Sequence, residues 1–98
     1  MTTNAASWGP ARFRLGRLLA TPAALETLAS AGLSPARLLA RHLAGDWGDL
    51  DAADVRANDA ARASGGRLFS AYETTAGKVW VITGWDRSAT TVLLPADY

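Results

Sequence analysis

Apolar and polar positions first alternate, then recur at helical spacing, then alternate again along these 98 residues. Phe13 and Leu15 interleave with Arg12 and Arg14, a two-residue period that predicts a strand over Arg12–Leu19. Gly16 weakens any helix here by about 1 kcal/mol relative to Ala. Thr21-Pro22 is a helix start, since Thr caps well and Pro suits the first helical position. That helix runs to about Ala31, with Leu25 and Leu28 as its apolar stripe and Gly32 as a left-handed stop. Ser34-Pro35 repeats the signal for a second helix to about Leu43, ending at Gly45. Leu38, Leu39 and Leu43 face the core, with Ala40 and Arg41 turned away. The short link predicts an αα-hairpin.

Asp46 to Asp51 is turn-rich, and Asp49 or Asp51 caps a third helix reaching about Ser64. Asp51 and Asp54 in its first turn and Arg62 in its last match the helix dipole. Val55 is its only large aliphatic residue, so it packs through alanines such as Ala52, Ala60 and Ala61. Gly65-Gly66 ends it.

Three strands rich in Val, Ile, Thr, Tyr and Trp follow: Arg67–Thr74, Lys78–Trp85 and Ala89–Leu94. The expected fold is α+β: an N-terminal strand, three short helices and a three-stranded antiparallel β-meander. It forms one domain over residues 12–98 behind a flexible N-terminal arm, residues 1–11, whose Trp8 either docks or stays loose. With loops at Ala76-Gly77 and Arg87-Ser88, Tyr72 lies opposite Val81, Ala71 opposite Ile82, Thr83 opposite Val92 and Ile82 opposite Leu93. One face then carries Leu68, Tyr72, Val81, Trp85, Val92 and Leu94. The other carries Phe69, Ala71, Trp80, Ile82 and Leu93. A sheet with one wet face alternates more cleanly. Helices are therefore expected on one face, with the first strand, the arm or a second copy on the other.

Composition narrows the function classes. A net charge of +1 and a pI near 8.3 are neither the basic excess of a nucleic-acid binder nor the acidity of a DNA mimic. Cysteine is absent, which excludes disulfides and thiolate metal sites, and a single histidine disfavours zinc. No apolar run approaches the roughly 20 residues of a membrane span, and residues 1–10 lack signal-peptide character. The cytoplasm is the expected compartment, with no cofactor, no metal and no membrane partner.

Candidate chemistry concentrates in His42-Leu43-Ala44-Gly45-Asp46-Trp47-Gly48-Asp49. An imidazole, two carboxylates, a tryptophan and two glycines suit a binding or catalytic loop in which Asp46 or Asp49 orients His42 as an acid–base group. The plainer reading is a helix stop, an Asp cap and a tryptophan plug. His42, Glu73 and Arg87 form a possible ribonuclease-like set of acid, base and phosphate-neutralising cation. The order of helices before a meander is similar to barnase-like and colicin-like nucleases. Those families draw their acid–base residues from the sheet and its loops, and the last third here has no histidine. Arg12, Arg14 and Arg17 suit phosphate contacts or the wet side of a strand. Asp46, Asp49, Asp51 and Asp54 depart from calcium-loop spacing and are explained by capping. Trp80, Trp85, Tyr72 and Tyr98 suit a stacking platform, or core packing in the absence of a basic excess. As a partner surface, His42, Asp46, Trp47 and Asp49 with Asp86 and Arg87 are the leading candidates, because Trp and Arg anchor interfaces.

Three stretches carry a resemblance. They are Leu15-Gly16 through Ala20-Thr21-Pro22, then Arg41-His42 with Gly45-Asp46-Trp47-Gly48-Asp49-Leu50, and Trp80-Val81-Ile82-Thr83 through Asp86-Arg87-Ser88 and Thr90-Thr91 to Leu94-Pro95. In these the chain resembles a family of small bacterial proteins borne on plasmids, phages and integrated elements, labelled hypothetical, plasmid-related or restriction-system subunits. The resemblance implies a mobile-element setting and a cytoplasmic home, and supplies no active site. The cofactor-binding fold and catalytic motif of a methyltransferase subunit are absent. The expected function is a non-enzymatic accessory protein binding a host or defence-system protein, of the anti-restriction or anti-CRISPR type. Nucleic acid enters only indirectly. The alternatives are a small nuclease or toxin using His42, Glu73 and Arg87, and a structural homodimer joined through the sheet.

Overall fold

The computed structural model describes residues 13–98. The expected arm over residues 1–11, Trp8 within it, and the predicted strand start at Arg12 lie outside the described residues. The elements are β1 (Arg17–Ala20), α1 (Pro22–Ser30), α2 (Pro35–Leu43), α3 (Ala52–Ser64), β2 (Leu68–Thr74), β3 (Gly77–Thr83) and β4 (Ala89–Leu93), closed by a 3-10 turn, Pro95–Asp97. The fold is α+β with a strand ahead of three helices. Its sheet is not a free-standing three-stranded meander, because β1 pairs in parallel with β4. One mixed sheet of order β1-β4-β3-β2 results. Such a long-range parallel pairing leaves no local trace in sequence.

β1 begins at Arg17 because Gly16 is left-handed, at φ +67°. A Cβ at that position would lie 2.4 Å from the Ser88 carbonyl group. Only glycine lets the chain enter β4 this closely.

The register also differs from expectation by two residues in each hairpin. Tyr72 faces Val79 and Ala71 faces Trp80, while Thr83 faces Thr90 and Ile82 faces Thr91. The first loop is Thr75-Ala76. It is closed by Thr74, whose hydroxyl accepts from the Ala76 N–H at 3.0 Å and donates to the Gly77 carbonyl at 2.6 Å. A shift of two keeps every side chain on its face, where a shift of one would have inverted the sheet.

Thr21 caps α1 at Ala24 and Asp51, rather than Asp49, caps α3 at Asp54. α1 and α2 cover the sheet face of Tyr72, Val79, Val81 and Val92, and bury Ala24, Leu28 and Leu38 there. Leu25, expected in the stripe of α1, is 46% exposed, and Ala24 takes its place. The close helix approach through Ala follows from the scarcity of large anchors. On the opposite face Phe69 and Trp80 meet edge to face, as do Trp80 and Tyr98, at 5.0 and 5.6 Å between centroids. The C-terminal turn, not β1, sets Tyr98 there. It is pinned by Asp97, which accepts from the Thr21 hydroxyl and the Leu94 N–H.

The outer edge of β2 is answered from Phe69 to the Glu73 N–H. Asn58 of α3 bonds both the N–H and the carbonyl of Phe69, at 3.1 and 2.6 Å. Ala71 donates to the Trp47 carbonyl and accepts from the Asp49 N–H, and Glu73 donates its N–H to the Asp49 carboxylate. Covering an edge in this way prevents pairing with another chain. Asn58→Ala is expected to cost roughly 1–3 kcal/mol, because it leaves two partly buried backbone groups unanswered. A urea unfolding midpoint measures this, and an unchanged midpoint would contradict it. Among the described residues no helix is long and apolar enough to cross a membrane.

Candidate functional site

His42 lies in the last turn of α2, four residues after Leu38, so the helical repeat turns both into the core. It is fully buried. Its Nδ1 is 2.6 Å from the Ser70 hydroxyl and its Nε2 is 2.9 Å from that of Thr83. Thr83 is in turn 2.7 Å from the Thr90 hydroxyl, and Thr90 donates to the Leu15 carbonyl at 2.7 Å.

The proton order along this chain follows from its last link. Thr90 has one hydroxyl proton and spends it on Leu15, so Thr83 donates to Thr90. Thr83 must then accept from Nε2–H, and Nδ1 accepts from Ser70. The ring is held as the neutral Nε2–H tautomer. Hydroxyls from β2 and β3 thereby meet a single helical side chain, and the one on β3 carries the chain on through Thr90 of β4 to the carbonyl leading into β1. Asp46 and Asp49, expected to orient His42, make none of these bonds.

Aromatic rings close the remaining sides. Phe13 and Trp47 each stand edge-on to the imidazole, with centroids at 5.3 and 5.5 Å. Trp47 is buried and donates its indole N–H to Asp59 at 3.0 Å. Burial, with Arg87 as a second cause, lowers the His42 pKa from 6.5 to about 4. The ring is therefore uncharged at neutral pH.

Arg87 takes a left-handed backbone, at φ +61°. Its guanidinium donates to the carbonyls of Gly66, Ala61 at 2.8 Å and Gly84 at 3.1 Å. It thus serves the carbonyl end of α3, where a cation is favoured, and lies over the Phe13 ring at 5.7 Å. His42, Trp47 and Arg87 do come together, joined through Phe13.

The other candidates are placed elsewhere. Glu73 pairs with Lys78 at 3.5 Å on the surface. Strand alternation puts it on the opposite face of the sheet from Ser70 and His42. Asp46 binds Arg41 at 2.6 Å and also accepts from the Gly48 N–H. The Arg41 hydrogen bond holds its carboxyl below the usual carboxylate range. Asp49 is spent on the β2 edge. Asp86 is exposed, and Ser88 lowers its carboxyl pKa. Of the aromatic platform, Tyr72 lies in the helix-covered core and donates to the Asp46 carbonyl at 2.7 Å. Trp85 and Tyr98 are 74% and 72% exposed. Among the described residues no group of three or more His, Asp or Glu could hold a metal ion.

Sequence reasoning missed Ser70, Thr83, Thr90 and Asn58. The first three occupy core-facing strand positions beside Tyr72, Val81 and Val92. A hydroxyl at such a position needs a polar partner, and the one histidine is the natural donor and acceptor.

Comparison of the chain with protein-family models, curated proteins and solved structures finds no match.

Proposed function

We propose that this is a non-enzymatic accessory protein of a mobile element that acts in the cytoplasm by binding a host or defence-system protein, as anti-restriction and anti-CRISPR inhibitors do. The observation that carries this reading is the state of His42. It is the chain's one histidine, it is fully buried, and both its ring nitrogens are engaged by hydroxyls. A general acid has to reach the reacting atom within hydrogen-bond distance. Glu73, the base of the nuclease alternative, faces away on the other side of the sheet. What the surface offers is apolar contact area: Trp85, Tyr98, Leu18 and Leu19 are exposed. Exposed aromatic residues are favoured interface anchors. The mobile-element setting rests on the sequence resemblance.

The test is affinity capture of the tagged protein from host lysate, with and without nuclease treatment. A stoichiometric protein partner that survives nuclease is expected. Capture only through nucleic acid, together with RNA or DNA cleavage that falls in Glu73→Gln, would contradict the proposal. Glu73→Gln alters an exposed pair and leaves the fold intact, so its result is interpretable where that of a core variant is not.

A further inference from the structure

The two edges of the sheet are treated differently. The outward backbone groups of Phe69 and Ala71 and the Glu73 N–H on β2 have partners, but all four residues of β1 are exposed. Arg17 donates its N–H to the Ser88 carbonyl at 2.9 Å, and Thr21 donates to that of Val92 at 3.0 Å. Backbone groups alternate along a strand, so residues 17, 19 and 21 turn toward β4, and the N–H and carbonyl of Leu18 and Ala20 point outward. Among the described residues no backbone partner answers them. Beside this edge runs an open groove of about 740 Å³, lined by apolar Phe13, Leu18 and Leu43 and by Arg14, Arg17 and Arg87.

Its charge is one-sided. Residues 1–45 carry five arginines and a single carboxylate, Glu26. The ion pairs among the described residues are Arg41 with Asp46 and Lys78 with Glu73. Residues 1–12 contain no Asp or Glu. Arg14 and Arg17 therefore face the groove with no carboxylate of their own chain in contact.

We propose that the outer edge of β1 accepts an extended acidic segment of a partner protein as a fifth strand. This rests on the protein-binding reading and names the chemistry of the partner. Main-chain bonds to Leu18 and Ala20 supply affinity, and alternate side chains entering the groove supply selectivity. Arg14 and Arg17 favour acidic side chains and quicken the encounter. A second copy of this chain is a poorer fit, because edge-to-edge pairing brings two sets of Arg14 and Arg17 onto one ribbon.

The experiment titrates the isotope-labelled full chain with a ten-residue peptide alternating valine with glutamate, and with its valine–lysine counterpart. The Leu18 and Ala20 amide resonances are expected to shift saturably with the acidic peptide, and their hydrogen exchange to slow. The lysine peptide should bind at least about tenfold more weakly, as should the acidic peptide to the double variant Arg14→Glu, Arg17→Glu. Ala20→Pro deletes an outward donor at an edge position where proline is tolerated. It should reduce binding at least about tenfold while leaving Tm unchanged, because the added strand loses a main-chain bond.

Equal response to both peptides, no saturable shift, or wild-type binding by Ala20→Pro would each overturn the proposal. So would Leu18 and Ala20 amides already protected in the free protein: concentration-independent protection assigns the edge to the chain itself, and concentration-dependent protection to a second copy. Shifts produced by a single-stranded oligonucleotide and by neither peptide would assign the arginines to phosphate. A host partner captured equally by wild type and Ala20→Pro would remove this edge as its docking point and leave the protein-binding reading standing.

Discussion

His42→Ala is expected to lower stability by about 3–5 kcal/mol, which for a domain of this size approaches unfolding. The substitution removes a fully buried ring against which Phe13 and Trp47 pack. It also leaves the Ser70 hydroxyl without an acceptor and that of Thr83 without a donor, both inside the core. Because the hydroxyl chain reaches from β2 to the entry of β1, the loss falls on the whole sheet. Urea unfolding at pH 7 measures it, and a loss below about 1 kcal/mol, the value of an ordinary surface change, would contradict the network.

The same residue sets a pH dependence. His42 has a native pKa of about 4 against 6.5 when unfolded. The unfolded chain therefore binds its proton first, and the stabilisation is fully present above pH 6.5. It is lost as pH falls through the window down to about 4, in total roughly 3 kcal/mol. Protonation of Nδ1 would also force Ser70 to turn its hydroxyl from donor to acceptor. Urea midpoints should accordingly fall from pH 7 to pH 4.5 in wild type. A flat profile would contradict the assignment.

Gly48→Ala is the second large effect. Gly48 has φ +77°, and a Cβ there would lie 2.1 Å from the Ala71 carbonyl oxygen and 2.7 Å from the Tyr72 ring. The nearest obstacle is backbone, which cannot swing aside as a long side chain would. Relief requires withdrawing the loop from β2, which breaks the bonds of Ala71 to Trp47 and Asp49. The expected cost is about 3–4 kcal/mol, from backbone strain and two lost buried hydrogen bonds. The freed edge is also an aggregation template. Thermal unfolding with static light scattering reads both effects. A Tm within a few degrees of wild type, with no scattering increase, would show that the loop is not what seals β2.

How much of this was legible depends on the range of the interactions. The helices were legible because their signals are local: Thr21-Pro22, Ser34-Pro35 and an Asp cap at 49 or 51, of which Asp51 is the one used, each act within four residues. Sheet faces were legible through alternation, and they survived a register error of two because that error preserves parity. The β1–β4 pairing was not legible, since Arg17 and Ala89 are joined only through tertiary structure. The His42 to Asp49 stretch stood out by its composition, but its structural work was not readable from it. Trp47, Gly48 and Asp49 form a strand-like strip that closes the β2 edge, and this depends on Ala71 and Glu73, more than twenty residues away. His42 drew attention as a titratable group near carboxylates. Its partners are the hydroxyls of Ser70 and Thr83, with Thr90 one bond further on, and only the correct register lines them up at one ring.

The most direct measurement is an NMR titration of the His42 imidazole in the native protein between pH 8 and pH 4. A ring that stays in the neutral Nε2–H form throughout most of that range, and protonates only near pH 4 as the fold begins to open, is the expected result. A ring that titrates near its ordinary pKa of 6.5 while the sheet resonances stay unchanged would mean that water and protons reach it in the folded state, and would return His42 to contention as an acid–base group.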